Sequence, residues 1–389
     1  MERSDIEVLI IGAGPAGLGC ALALKKAGIE NFRILERSMV GASFEAWPRE
    51  MRMITPSFHG NPFIQTDLNA VNPATSPADL FGREHPSGAQ YAAYLRAVVQ
   101  HYQLEVSEGV SVKQIKPQGR RFTVSTSSGE IDAGAVIWAA GEFGLPRTAV
   151  FAGAALCWHN STIQSWAKWP GQASIVIGGY ESGIDAAYHL VQAGKRVQVI
   201  SKGEPWLADS ADPSEALSPY TKERLVHILQ AYPGQLELIG QSEVIKVARC
   251  ADTFKVTLAD GRTLETGSPP ILATGFRSAL TPVRDLFEWS GEHPVFTEED
   301  ASTLHPGLFY SGPSLVQRGS KFCFIYKFRA RFGVVARAVA DHLGQSVHPD
   351  LDAYAARGFM IDDLDCCVDC QCALDEADTE TIEDLEVVQ

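Results

Sequence analysis

No stretch of about 18 consecutive apolar residues occurs in the 389-residue chain, so no membrane-spanning helix is expected. A basic, then apolar, then small-residue leader is also missing ahead of the first apolar run. No secretory signal is therefore read, and the cytoplasm is the expected compartment. Basic excess is lacking: 33 Lys and Arg stand against 47 Asp and Glu, which withholds the footprint that nucleic acid requires. The eight cysteines make no secreted framework. Cys20, Cys157, Cys250 and Cys323 are scattered, while Cys366, Cys367, Cys370 and Cys372 crowd into one short run. That run is tighter than the two separated pairs of an ordinary four-cysteine zinc site, and no metal site is assigned.

The acidity is local. Residues 361–389 carry eleven acids and no Lys or Arg, which leaves the other 360 residues near −3. A balanced body of two domains with an acidic tail is the expected layout.

What is present starts at once. The run Glu7-Val-Leu-Ile-Ile enters Gly12-x-Gly14-x-x-Gly17, a helical pattern follows (Leu18, Ala21, Leu22, Leu24), and a second strand ends in Ile34-Leu-Glu36. Strand, glycine turn, helix, strand and acid in that order make a dinucleotide pyrophosphate site. Gly12 permits the tight turn, Gly14 the approach of phosphate, and Gly17 close helix–strand packing. The helix N-terminus offers free N–H groups to the anion, and Glu36 stands where a carboxylate accepts from a ribose diol.

Residues 41–90 read as a long irregular loop, 87–102 as a helix, and about Tyr326 to Leu343 as a long amphipathic helix. Ser174-Ile-Val-Ile-Gly178-Gly179-Tyr180-Glu181-Ser182-Gly183 opens a second strand–turn–helix unit, with Tyr180 where glycine usually stands. The next strand ends in Ser201-Lys202. A hydroxyl and a cation there suit a 2′-phosphate better than a 2′-OH, so NADPH is preferred, with NADH as the alternative.

Together with Ala139-Ala140-Gly141, Ala273-Thr274-Gly275 and Leu308-Phe309-Tyr310-Ser311-Gly312, these motifs resemble the flavoproteins with two dinucleotide-binding domains. The resemblance implies an α/β fold of two Rossmann-like three-layer domains, the FAD domain being discontinuous. Its expected parts are 1–155 and 279–358 for FAD, 156–278 for NAD(P)H, and 359–389 as an acidic Cys-rich tail. The implied cofactor contacts are Gly12, Gly14, Ala16, Gly17, Glu36, Arg37, Trp47, Val112, Ala140, Gly141, Gly312 and Pro313 toward FAD. Toward NADPH they are Gly178, Gly179, Glu181, Ser182, Ser201, Lys202 and Gly275. Members of that superfamily often carry Asp after the last glycine. Here it is Pro313, so that contact must come from elsewhere.

Two groups within the superfamily lie near. Gly178-Gly179-x-x-Ser182 and Asp185-Ala186-Ala187 look like the bacillithiol-disulfide reductase group of thioredoxin-reductase-like enzymes. Ser182-Gly183-x-Asp185, Leu272-Ala-Thr-Gly-Phe276 and Phe151-x-Gly153 with His159 look like class B flavin monooxygenases, although the Gly-to-His gap is longer than theirs. His159 by itself reads as a structural hydrogen-bonding residue. Neither common flavin-disulfide arrangement is visible, and Ala16 stands where the first group has a cysteine. Cys366, Cys367, Cys370 and Cys372 are therefore the expected catalytic thiols. Metal binding and an inert appendage are the alternative readings of the tail. The tail is expected to dock against Arg318, Lys321, Lys327, Arg329 and Arg331. The resulting expectation is a homo-oligomeric reductase of a small-molecule or protein disulfide. The alternative is a monooxygenase acting on S or N of a small substrate.

Overall fold

Near-continuous apolar runs shape the first sheet. In β1 (Asp5–Ile11), Val8, Leu9 and Ile10 are wholly buried, which suits a central parallel strand covered on both faces. Burial of each such side chain contributes about 1.5–3 kcal/mol. The computed structural model describes residues 5–60, 65–210, 212 and 214–364. Cys366, Cys367, Cys370 and Cys372, expected to be catalytic, lie outside the described residues.

After β1 come α1 (Pro15–Ala27), β2 (Phe32–Leu35), α2 (Gly88–Tyr102), β3 (Val106–Ser107), β4 (Val112–Gln118), β5 (Arg121–Thr126) and β6 (Gly129–Trp138). Helix α1 stops because Gly28 takes a left-handed conformation and its N–H caps Leu24 and Lys25 carbonyls. Helix α2 starts on a reciprocal capping box between Ser87 and Gln90.

The second sheet is assembled from β7 (Trp158–His159), β8 (Ala173–Ile177), α3 (Glu181–Gln192), β9 (Arg196–Ile200), α4 (Pro219–Ala231) and β10 (Leu236–Ile239). A three-stranded meander follows: β11 (Val244–Cys250), β12 (Thr253–Leu258) and β13 (Thr263–Thr266). Strand β14 (Ile271–Leu272) then completes the second sheet. The chain returns through a hairpin, β15 (Glu288–Ser290) and β16 (His293–Val295), to β17 (Leu308–Tyr310) and then α5 (Phe332–Leu343), after which a 3-10 turn (Pro349–Leu351) and a short helix (Asp352–Ala355) follow.

The first sheet has the order β3-β2-β1-β6-β5-β4, with β17 also on β6. Strand β6 is divided: residues 129–133 pair antiparallel with β5, and residues 136–138 pair parallel with β17. The second sheet is wholly parallel, β10-β9-β8-β14-β7. This α/β architecture of two Rossmann-like layers, the first completed only by β17 and α5, is the one expected from the motifs. Among the described residues, no helix is long and apolar enough to cross a membrane.

The expected helix from Tyr326 to Leu343 is broken. Ile325–Phe328 is α-helical, Arg329–Arg331 is a 3-10 turn, and α5 starts afresh at Phe332. The break turns two arginines inward. Arg329 donates to the Asp67 and Ala70 carbonyls and so braces the irregular loop, while Arg331 is sealed against Asp300 at 2.9 Å. The basic segment is accordingly not the free docking patch expected for the tail. Lys327 pairs with Asp212 at 2.5 Å, Lys321 with Glu215 at 3.6 Å and Arg318 with Glu298 at 2.9 Å.

Candidate functional site

Both sheets end their central strands in a glycine turn at the carboxyl edge, where ligands of such sheets bind. At the first, Gly12 has φ +113°, and a Cβ there would lie 2.4 Å from the Ala139 carbonyl oxygen. Its N–H donates to the Leu35 carbonyl at 2.8 Å, tying β1 to β2. A Cβ on Gly17 would stand 1.9 Å from the Gly12 carbonyl oxygen, so the helix rides directly on the turn. Gly14 is different: nothing lies within 4 Å of the place its Cβ would take. That opening is a cradle at the start of α1. Helix geometry leaves the Ala16 and Gly17 N–H groups without intrahelical partners there. Pro15 at the first helical position has no N–H to satisfy.

Glu36 is fixed above the cradle. Its carboxylate accepts from the Ala13 N–H at 3.0 Å and the Ser38 N–H at 2.8 Å, and its remaining lone pairs are available to a ribose diol. Arg37 comes close to the loop after β6, since a Cβ on Gly144 would meet its guanidinium at 2.8 Å. Ala139 and Ala140, just past β6, press on Gly12, Gly141 comes next in the chain, and Gly312 follows β17 on the same edge. Trp47 and Val112 are further out. Trp47 packs half-buried against Phe44 at 5.0 Å between ring centroids, and Val112 opens β4 opposite Thr126. Pro313 adds no backbone donor.

The second turn repeats the first in backbone. Gly178 has φ +114°, and its Cβ would lie 2.2 Å from the Ala273 carbonyl oxygen. A Cβ on Gly183 would lie 1.8 Å from the Gly178 carbonyl oxygen. Tyr180 caps α3 with φ −88° and ψ −166°, against −90° and −171° for Gly14 at α1. Gly183 was not among the expected contacts. The interval from Gly178 to Gly183 equals that from Gly12 to Gly17, and this equality is the signal that finds it.

Side chains make the second turn unlike the first. The Tyr180 hydroxyl donates to the Ala216 carbonyl at 2.8 Å. The Glu181 carboxylate, at the start of α3, accepts from the Ser218 N–H and the Thr221 hydroxyl, and burial pushes its carboxyl up. The Trp206 ring covers Gly179, where a Cβ would meet it at 2.6 Å, and buried Ser201 lies against the same glycine. Lys202 is exposed and paired with Glu243 at 2.6 Å. The residues fit a pyrophosphate through the backbone of Gly178, Ser182 and Gly183. They depart from an open cradle at Tyr180 and Glu181.

A crossing of two segments joins the turns. The Arg147 N–H donates to the Gly275 carbonyl at 3.0 Å and the Arg277 N–H to the Leu145 carbonyl at 2.8 Å. His159 is buried under this crossing, with Nε2 3.1 Å from the same Gly275 carbonyl and Nδ1 2.8 Å from the Ser161 hydroxyl. Burial holds its pKa below the usual value. Its role here is structural. Cys20 is likewise a buried apolar thiol, pushed up to about 12 by burial. Just before the crossing, Glu142 is half-buried, and among the described residues none pairs with its carboxyl. Burial pushes it up to about 7.

The profile of the pyridine nucleotide-disulphide oxidoreductase family matches residues 9–312. A ferredoxin–NADP reductase of Thermus thermophilus is 24% identical over 359 residues, spanning 90% of this chain and 96% of that protein. Bacilliredoxin reductase Bdr of Bacillus subtilis is 25% identical, spanning 86% and 97%. Among solved structures, the bacillithiol disulfide reductase Bdr (YpdA) of Staphylococcus aureus shares the fold with a TM-score of 0.71. It is 21% identical and is covered over 87% of this chain and 99% of its own.

Proposed function

The chain belongs to the pyridine nucleotide-disulphide oxidoreductase family, and from that premise we propose that it is a reductase carrying electrons from NADPH through FAD to a disulfide. It is an FAD-dependent oxidoreductase; the acceptor and the contacting residues are our reading. FAD would lie in the first cradle, on Gly12, Gly14, Ala16, Gly17 and Glu36, with Ala140, Gly141 and Gly312 closing the edge. The unit holding it would be 1–155 with 279–358, and the nicotinamide unit 156–278. NADPH would use Gly178, Gly179, Ser182 and Gly183, with Ser201 and Lys202 toward the 2′-phosphate.

Bound flavin supplies the two-electron relay between nicotinamide and acceptor. The chain's own part is to fix the two nucleotides and bring thiols to them. Cys366, Cys367, Cys370 and Cys372 are the proposed carriers. Two of them would pass two electrons to the acceptor disulfide, giving two acceptor thiols and a disulfide in the tail; electrons from NADPH, relayed by the bound cofactor, would return that disulfide to thiols. Exchange runs through the thiolate, so it is expected to quicken as pH rises above neutral. The acceptor is a small-molecule or protein disulfide, and the assembly a homo-oligomer.

The observation that carries this reading is the repeated backbone of two glycine turns, φ +113° at Gly12 and φ +114° at Gly178, each at the carboxyl end of a strand with parallel neighbours on both sides. An anaerobic stopped-flow experiment tests it. NADPH is expected to bleach the flavin, and a disulfide to restore its colour in the parent protein but not when all four tail cysteines are Ser. Equal reoxidation by the Ser variant overturns the tail's role. Fast reoxidation by oxygen with a small sulfur or nitrogen compound consumed, and none by disulfide, turns the assignment to a monooxygenase.

A further inference from the structure

The edge of the first cradle contains a carboxyl without a task. Glu142 follows Gly141 at the carboxyl end of β6, between the Gly12 turn and the Gly312 turn. Ala139 and Ala140 hold this segment down on Gly12, where an added Cβ would find them at 2.4 and 3.0 Å. From β17, Tyr310 is near enough for its charge to couple to that of Glu142, and its hydroxyl lies 2.9 Å from where a Cβ on Gly312 would stand. From the end of β2, Arg37 approaches at Gly144, and Glu36 is committed to the Ala13 and Ser38 amides. None of these groups pairs with Glu142. A carboxyl partly withdrawn from water and left unpaired gains when something arrives to bond it.

We propose that Glu142 is a positioning residue for FAD, which in its protonated form donates a hydrogen bond to the pyrophosphate–ribityl stretch, so that binding takes up a proton from solvent. This rests on the reading that FAD occupies the first cradle. The sign follows from charge. A carboxylate facing two phosphate charges is repelled, whereas a carboxyl is a donor that they accept from. The surroundings offer no competing base: Tyr310 is neutral, with burial pushing its hydroxyl up, and Arg37 carries no lone pair to give. Pro313 on the facing turn has no N–H, so a protonated Glu142 would add a donor at this edge beside the Arg37 guanidinium and the Tyr310 hydroxyl. Burial alone already sets the carboxyl at about 7, so the proton is in play at and above neutral pH.

Calorimetric titration of the FAD-depleted full chain with FAD, at pH 8 in two buffers of different ionisation enthalpy, tests this. The parent protein is expected to take up about one proton per FAD, and its Kd to rise about tenfold per pH unit above 7. Glu142→Gln keeps a donor without a proton to lose. It is expected to take up none and to bind equally at pH 6 and pH 8, while Glu142→Ala binds more weakly at both. Equal proton uptake by parent and Glu142→Gln, or pH-independent binding by the parent, overturns the proposal. Should Glu142→Gln fail to fold, the proton stoichiometry and pH dependence of the parent decide alone. A parent that binds no FAD at any pH overturns instead the reading of the first cradle.

Discussion

The two glycine turns of this chain have one backbone and two chemistries. Gly12 and Gly178 share a left-handed φ within a degree, Gly17 and Gly183 ride equally close on the turn, and Gly14 and Tyr180 cap their helices at nearly the same φ and ψ. Yet the first turn leaves open space over its cap. The second fills it with a tyrosine, places an acid in the first turn of the helix, and covers the neighbouring glycine with Trp206. The lesson is that backbone geometry specifies a phosphate-sized turn, while the side chains set how readily it is entered. A permanently held cofactor suits the open turn. A nucleotide that comes and goes suits the covered one.

The strongest way to break this comparison is to strain both turns alike. Gly12→Ala and Gly178→Ala each place a Cβ at positive φ against a carbonyl oxygen, at 2.4 and 2.2 Å, a cost of at least about 2 kcal/mol apiece. We expect the first variant to purify colourless or unfolded. The second should stay yellow, with NADPH-driven bleaching slowed more than about 100-fold, roughly the loss of 3 kcal/mol of productive binding. Flavin absorbance per chain and anaerobic reduction rates read both; matching loss of colour would show that the turns are not separable.

Exchanging the caps is gentler. Gly14→Ala meets no atom of the fold, so its melting temperature should hold while FAD affinity falls about tenfold, a cost near 1.4 kcal/mol. Tyr180→Gly should do the reverse at the second turn. Loss of the bond to Ala216 lowers stability by about 1 kcal/mol, while the KM for NADPH drops several-fold. A raised KM would mean that Tyr180 is a nucleotide contact rather than an obstruction.

Smaller still is the effect of the Lys202–Glu243 pair, which is exposed and therefore worth at most about 1 kcal/mol. Glu243→Ala frees the ammonium for a 2′-phosphate. The ratio of kcat/KM for NADPH over NADH should rise about twofold to fivefold, and fall when Lys202 is changed to Ala.

The mildest test concerns the crossing between the units. His159 is held below its ordinary pKa by burial, so the unfolded chain binds the proton more readily than the fold does. Stability should therefore fall as pH drops below about 6.5. His159→Asn is expected to flatten the fall in melting temperature between pH 7 and pH 5, and an unchanged slope would remove His159 from the account.

Much of this was legible in the sequence, for a physical reason. A pyrophosphate turn is local: Gly12, Gly14, Gly17 and the strand carrying Glu36 act within a few dozen residues, and their spacing is the geometry. The second turn could be read for the same reason, and only the equivalence of Gly183 with Gly17 was overlooked. What the sequence withheld depends on distant neighbours. Arg329 and Arg331 look like a surface charge run beside Lys327, yet both face inward, because Asp300 and the carbonyls of the loop at 67–70 wait there. The same inward turn cuts the helix that periodicity extends through them. Glu142 looks like any polar residue after a strand, and only its place between the Gly12 and Gly312 turns makes its isolation visible.

The division of β6 bears on how the protein is made. Its second half, residues 136–138, waits for residues 308–310, which leave the ribosome only after the whole second sheet has been synthesised. The strands at 158–272, by contrast, find every sheet partner within their own stretch. Synthesis thus favours completing the later unit first. The nascent amino-terminal half carries an unfilled strand edge in the meantime, a site for chaperone protection or for mispairing with a neighbouring copy.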